Sequence, residues 1–454
     1  MSAPPVDRAR AEEVSSRWSV VPLLKRLHFY AGVLVAPFLV VAAVSGLLYS
    51  LAPQIDDVLY GDVLEVSSTA GAPRSLAEQV AVAQAVVPGG SVTSVQVFDD
   101  PEQTTRVVFA APGLAEEYSQ TVYVDPYAAR VQGQLTTWFG STPVTTWLDG
   151  LHRNLNLGET GRLYSELAAS WLWVISLAGV VLWLVRQKRL RAAVRPEKGA
   201  RGVRRTRSWH GSLGIWTLVG ALFLSATGLT WSTYAGENFA AALVALNAKA
   251  PALDTALSGS GHGEHGGGTG QGQVDVATFD RVLATARSAG LAGPVEISVG
   301  EPGSAWTTAQ VDNTWPVRLD KVAIDPATAS VTARANFADR PLLAKLSSLG
   351  IQAHMGRLFG IVNQIALFLL AAAILTLIVL GYRMWWQRRP TRADRQRPMG
   401  AAPRRGAWRE LPLWFLVPAP LVLIAVGWAI PLLGVSLLAF LILDGVIGLV
   451  RARA

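Results

Sequence analysis

The chain of 454 residues has no cysteine and only four methionines. Without thiols it can form no disulfides, thiolate metal sites, iron–sulfur clusters or C-x-x-C-H attachment of a c-type haem. Any redox centre must be held by histidine, methionine or oxygen ligands. Charge is also scarce, at 16% of residues against 51% hydrophobic. That balance is too apolar for an ordinary soluble protein and too polar for a pure membrane bundle. No Ser-His-Asp order, nucleotide loop or His-Glu-x-x-His helix is present, so any reaction would use the chemistry of a cofactor. Gly261-x-Gly-x-x-Gly266 matches a dinucleotide fingerprint only in form, because it neither follows a strand nor opens a helix.

What the chain does have is apolar runs. Runs of the roughly 20 residues needed to cross a bilayer occur at 27–50, 163–185, 211–232, 358–386, 411–430 and 431–450, which predicts six spans. The last two touch at Pro431, and Gly427 to Pro431 is the expected turn. Of the 40 Lys and Arg, 26 fall before residue 27, in 186–207, in 383–409 and after 450. By the positive-inside rule these segments are cytoplasmic, giving a cytoplasmic N-terminus (1–26), basic loops at 186–210 and 387–410, and a cytoplasmic C-terminus (451–454). Acids exceed bases in the long segments 51–162 and 233–357, which are expected outside. The net charge of +8 is thus a topology signal and not a nucleic-acid footprint. The first span is too long for a signal-peptide core and ends without a cleavage pattern, so it is expected to remain as an anchor in the cytoplasmic (inner) membrane.

The spans repeat. His28 and His210 each begin an apolar run, each followed by glycine at +4 (Gly32, Gly214) and again at +18 (Gly46, Gly228), behind a hydroxyl residue (Ser45, Thr227). At about 100° per residue these positions share one helix face, so each histidine would stand over a stripe free of side chains where a flat cofactor could lie. A second pair, His152 and His354, reads His-x5-Gly (Gly158, Gly360) before the next run. Two parallel halves related by an axis along the membrane normal would bring each pair to one depth, His28/His210 at the cytoplasmic edge and His152/His354 at the external edge. Haem of the b type needs two axial ligands, commonly imidazoles from different helices. The pattern therefore predicts two haems, one pair of ligands for each. Ligation by the first pair alone, with His152 and His354 holding an iron substrate, stays open. His262 and His265 lie in a Gly-rich linker, 258–273, expected to be solvated.

The external segments also repeat. Helical periodicity from Ser75 is followed by alternating strands at 92–98 and 106–110 and a hairpin near Asp125-Pro126. The second copy runs from a helix over 276–289 through strands at 295–299 and 306–311 to Asp325-Pro326. Two small α+β domains are expected. Asp444 in the last span is placed to pair with Arg451, and Trp138, Trp147, Trp231 and Tyr234 read as an aromatic belt.

Leu27-His28-x3-Gly32 leading to Ser45-Gly46, its copy from His210, Leu151-His152-Arg153, the Asp-Pro hairpins and the terminal segment from Pro431 to Asp444 resemble the PepSY-associated transmembrane family over about residues 22–450. The resemblance implies a multi-pass α-helical membrane protein with two extracytoplasmic PepSY-like domains, of a kind that includes haem-binding ferric-siderophore reductases. It departs from the family where alanine (Ala129, Ala329) replaces the usual hairpin glycine. The function so implied is an oxidoreductase passing electrons from a cytoplasmic donor, a flavin reductase or quinol, to an external ferric siderophore. The alternative from another class is a non-enzymatic protein that binds or regulates an extracytoplasmic peptidase. Transport would want polar residues along a path, and only Glu166, Asn363 and Gln364 stand near one.

Overall fold

The computed structural model describes residues 20–187, 190–257, 274–388 and 417–453; His262 and His265 lie outside them. The described chain forms two compact units, residues 1–47, 151–242 and 365–454 in one and 48–150 and 243–364 in the other.

The first unit is helical. Its helices are α1 (Val20–Leu34) and α2 (Ala36–Tyr49), then, further along the chain, α6 (Gly158–Leu184), the single turn α7 (Leu190–Ala193), α8 (Gly202–Leu229), α9 (Tyr234–Ala245), α12 (Gly360–Gln387), α13 (Pro418–Ala429) and α14 (Pro431–Arg453). Of these, α6, α8 and α12 are each long and apolar enough to cross a membrane, and α1 with α2 makes a fourth candidate bent by 58°. The bend has a covalent cause. Pro37 has no N–H to give the carbonyl of Val33, so the ladder breaks there. That freed carbonyl instead accepts the phenol of Tyr382 from α12 at 3.0 Å. The helices that contain most of the expected spans 27–50, 163–185 and 211–232 begin earlier, at Val20, Gly158 and Gly202. Hydropathy marks the apolar stretch, whereas a helix continues through polar turns as long as its backbone is bonded. Within 411–430 the described helix is the 12-residue α13, shorter than a bilayer is thick. The expected turn before Pro431 is present, and there the α13–α14 hairpin closes so tightly that a Cβ on Gly434 would stand 2.6 Å from the Gly427 Cα. α14 is held to α6 by the Trp171 indole, which donates to Ser436 Oγ at 2.9 Å.

The second unit is built on strands. Its elements are α3 (Ala52–Leu64), α4 (Leu76–Ala85), β1 (Ser91–Val97), β2 (Thr105–Ala110), β3 (Tyr118–Asp125), β4 (Arg130–Trp138), α5 (Pro143–Asn154), α10 (Ala277–Ser288), β5 (Val295–Ser298), β6 (Trp306–Gln310), β7 (Lys321–Ile324), β8 (Val331–Ala335) and α11 (Leu342–His354). The expected helices and strands of both copies are there, but not as separate domains. All eight strands join one antiparallel sheet in the order β4-β3-β2-β1-β5-β6-β7-β8. The seam pairs Val95 with Ile297 and Gln96 with Glu296. One core then serves both segments, with Val80, Val95 and Phe109 packed in the same cluster as Phe279, Ile297 and Ile324. β2 and β6 alternate buried and half-buried residues because one face meets α4 and α10. The Asp280 carboxylate of α10 accepts the first N–H groups of α4, from Leu76 and Ala77.

Two turn residues are strained. Ala129 and Ala329, where the family pattern has glycine, adopt φ of +47° and +54°, a region that costs an L-residue about 1–2 kcal/mol. Ala129→Gly and Ala329→Gly are each expected to add about 0.5–1 kcal/mol after the entropy of glycine is subtracted. The check is an upward shift of about 2 °C in the thermal transition of the strand-bearing unit.

Asp56 on α3 accepts the hydroxyls of Thr142 at 2.6 Å and Thr145 at 2.9 Å, pinning α3 to the start of α5. Burial raises its carboxyl above the ordinary value, with the two hydroxyls opposing. The folded state thus holds the Asp56 proton more tightly than the unfolded chain. Stability from this group is fullest at low pH and declines as pH rises above about 4, through the ordinary carboxylate range toward the raised value. Asp56→Asn should flatten that decline in a series of thermal melts. A pH slope equal to that of the unsubstituted chain would refute it.

Candidate functional site

His28 and His210 meet. The structure places them not at helix starts but two turns or more inside α1 and α8, with ring centroids 6.2 Å apart and planes inclined at 77°. Each is oriented from behind in the same way. His28 Nδ1 lies 3.0 Å from the carbonyl of Ile175 on α6, and His210 Nδ1 lies 3.0 Å from that of Leu377 on α12. A carbonyl can only accept, so each Nδ1 carries the proton and each Nε2 is left with its lone pair. One turn beyond each carbonyl is a glycine that faces the ring, and at Gly179 the missing side chain makes room for it. A Cβ on Gly179 would stand 2.8 Å from His28 Cε1, and one on Gly381 would stand 3.7 Å from His210 Cε1.

These supports were not foreseen from the sequence. Main-chain carbonyls leave no residue signature. A signal did exist in the spacing, since Ile175/Leu377 and Gly179/Gly381 are both 202 apart, as are His152 and His354.

The donor set fits a haem. With a metal–imidazole bond of about 2 Å and each ring centroid set back roughly 1 Å from its nitrogen, two ligands on opposite sides of one metal have centroids about 6 Å apart. The observed separation agrees. Among the described residues no group of three or more His, Asp or Glu is placed to hold a metal ion. Two imidazoles suit a metal that arrives with its other ligands in a ring. At Gly32 and Gly214 no heavy atom lies within 4 Å of where a Cβ would stand, so both faces remain open beside the histidines.

Gly46 departs from its expected role. The bend at Pro37 destroys the azimuth that would have aligned it with His28, and it faces His152 instead, with His152 Cε1 3.1 Å from the position of a Cβ. Gly228 lies on the unbroken α8, where the azimuth holds. His152 Nδ1 lies 3.0 Å from Ser45 Oγ. That hydroxyl also reaches the carbonyl of Val41 at 2.7 Å and that of Ala42 at 3.2 Å. The Tyr164 hydroxyl bonds the carbonyls of Leu151 and His152 and steadies this turn.

His152 stands a few residues ahead of the next long helix, α6. It lies in the last turn of α5, ahead of the turn that starts α6. His354 is correspondingly the final residue of α11 in the strand-bearing unit, where Asn363 Nδ2 caps the neighbouring Ala353 carbonyl at 2.8 Å. Other polar residues of the spans also find structural roles. Glu166, 1% exposed, accepts the N–H groups of Tyr234 and Ala235 at 3.0 Å each and so caps α9. Asp444 pairs with Arg26 of α1; the side chain of Arg451, its expected partner, lies outside the described residues.

Compared with known families, residues 25–388 match the model of the PepSY-associated TM region. A search of curated proteins found no match.

Proposed function

The chain belongs to the PepSY-associated TM family of membrane proteins, and from that premise we propose that it is a haem-b-containing oxidoreductase of the inner membrane. In this reading it passes electrons from a cytoplasmic donor, a flavin reductase or quinol, to an extracytoplasmic ferric siderophore or similar chelate. The observation that carries it is the imidazole pair, His28 and His210, each fixed by a main-chain carbonyl with its Nε2 turned free. A bound haem would supply a one-electron ferric/ferrous couple in a span that otherwise has none. The chain's own part is to hold two imidazoles in one tautomer, leave the glycine faces open beside them, and keep water away with apolar helices. At the external side, reduction of Fe(III) to Fe(II) weakens its hold on hard oxygen ligands and frees the metal.

A second haem at His152 and His354 is part of the proposal and rests on the sequence repeat. Both termini and the basic loops are taken as cytoplasmic on the distribution of Lys and Arg. The peptidase-binding alternative has no use for two half-buried imidazoles with matched supports.

The test is the optical spectrum of detergent-purified protein, oxidised and dithionite-reduced, with a pyridine haemochrome assay. Low-spin b-type bands at two equivalents per chain are expected, followed by reoxidation on adding a ferric chelate. Protein expressed with ample haem yet colourless would refute the reading.

A further inference from the structure

Three arginines stand at matched places along the helices that carry and support the imidazole pair. Arg186 follows the end of α6 and Arg388 the end of α12, and each is seven residues past the glycine that faces a histidine, Gly179 or Gly381. Seven residues are two turns, about 10 Å of rise. Arg207 lies one turn before His210 on α8. The charges of Arg186, Arg388 and Arg204 all bear on Arg207. The acid that also bears on it, Glu197, is engaged by Arg204, whose Nε donates to it at 2.9 Å. Among the described residues, Arg186, Arg207 and Arg388 have no carboxylate partner. Arg207 is half-buried while Arg186 and Arg388 are exposed, and like charges drawn from three helix ends favour an anion among them. A preference for positive loops accounts for arginine in these segments, but not for its equal spacing from the two glycines.

We infer that Arg186, Arg207 and Arg388 form a clamp for the two propionate carboxylates of the haem held by His28 and His210, an inference that rests on the haem reading above. A carboxylate accepts two parallel N–H donors from a guanidinium, which gives direction as well as charge. The ring would then enter in one orientation, with its acidic edge toward the arginines and its apolar edge toward the middle of the spans. The clamp residues position the cofactor and take no part in ligating iron.

The experiment uses the full chain stripped of haem and reconstituted with either haem or haem dimethyl ester, whose carboxylates are capped. The unsubstituted protein should bind haem at least tenfold more tightly than the diester. Arg207→Gln, and Arg186→Gln together with Arg388→Gln, should erase that preference while the low-spin spectrum still forms. Arg207→Lys, which keeps the charge, should retain part of the preference and serves if the glutamine variant does not fold. A preference unchanged in the glutamine variants, with low-spin haem bound, overturns the clamp and leaves the haem reading intact. If those variants instead lose co-purifying anionic lipid at unchanged haem preference, the arginines serve lipid phosphate and the clamp is likewise overturned. Failure of the unsubstituted protein to form a low-spin species with either compound removes the haem reading, and the clamp with it.

Discussion

Replacing His28 or His210 with alanine is expected to remove one equivalent of b haem and its low-spin bands. His28 is the one histidine of α1 and His210 the one histidine of α8, and the orientation of each ring is set by Ile175 or Leu377. Changes in the outer support of a metal ligand cost roughly 10–100-fold in affinity, and loss of the ligand itself should exceed that. Gly179→Val tests the same geometry without touching a ligand. Its Cβ would lie 2.8 Å from His28 Cε1, closer than carbon atoms pack, so the ring must turn away. A shift from low-spin to high-spin bands with haem retained is the expected signature. Because the two ring planes are inclined at 77°, the ferric protein should also show the strongly anisotropic low-spin EPR signal of perpendicular axial imidazoles. The double replacement His152→Ala with His354→Ala should remove a second equivalent, and none if that pair binds substrate iron. A His28→Ala protein with full haem and an unchanged spectrum would sink the assignment.

Asp444→Asn is expected to be the most destabilising conservative change in the spans. Arg26 is 3% exposed and ion-paired with Asp444, its guanidinium lying 5.4 Å over the Tyr30 ring, which in turn packs near Phe440 of α14. Neutralising the acid leaves a buried cation without its counter-charge, a change that costs about 3–5 kcal/mol in buried pairs. The lost bond also releases the last helix from the first. A marked fall in the detergent melting temperature is expected for Asp444→Asn and for Arg26→Leu with Asp444 in place. Joint replacement, Arg26→Leu with Asp444→Leu, should recover most of it, since apolar packing can replace such a pair. Equal loss in the single and double variants would show that the charge pair is not what holds α14.

The sequence was informative where chemistry resides in side chains and silent where it resides in the backbone. His28 and His210 were found by their shared spacing to Gly32 and Gly214, and the structure brings the two rings together. The carbonyls of Ile175 and Leu377, which fix both tautomers, could not be read because every residue has a carbonyl. The role of Gly46 was misread because an 18-residue azimuth presumes a straight helix, and Pro37, visible in the run, was not counted as a break. The Arg26–Asp444 pair spans 418 residues, and no local pattern reports a contact of that range. The strands were legible by alternation, yet their union in one sheet was not, since a strand's pattern tells which face is buried and not which neighbour lies at its edge.

That union has a consequence for biosynthesis. β1 lies at the middle of the finished sheet, and its outer partner β5 is encoded some 200 residues later. At about 5–20 residues per second, the nascent chain carries β1 with one bare edge for roughly 10–40 s before β5 emerges. An unpaired edge is a template for any passing strand, including the same segment of a neighbouring chain. The first half of this protein should therefore be the half that needs a holding chaperone, and truncation before Val295 should yield a product that self-associates through Ser91–Val97.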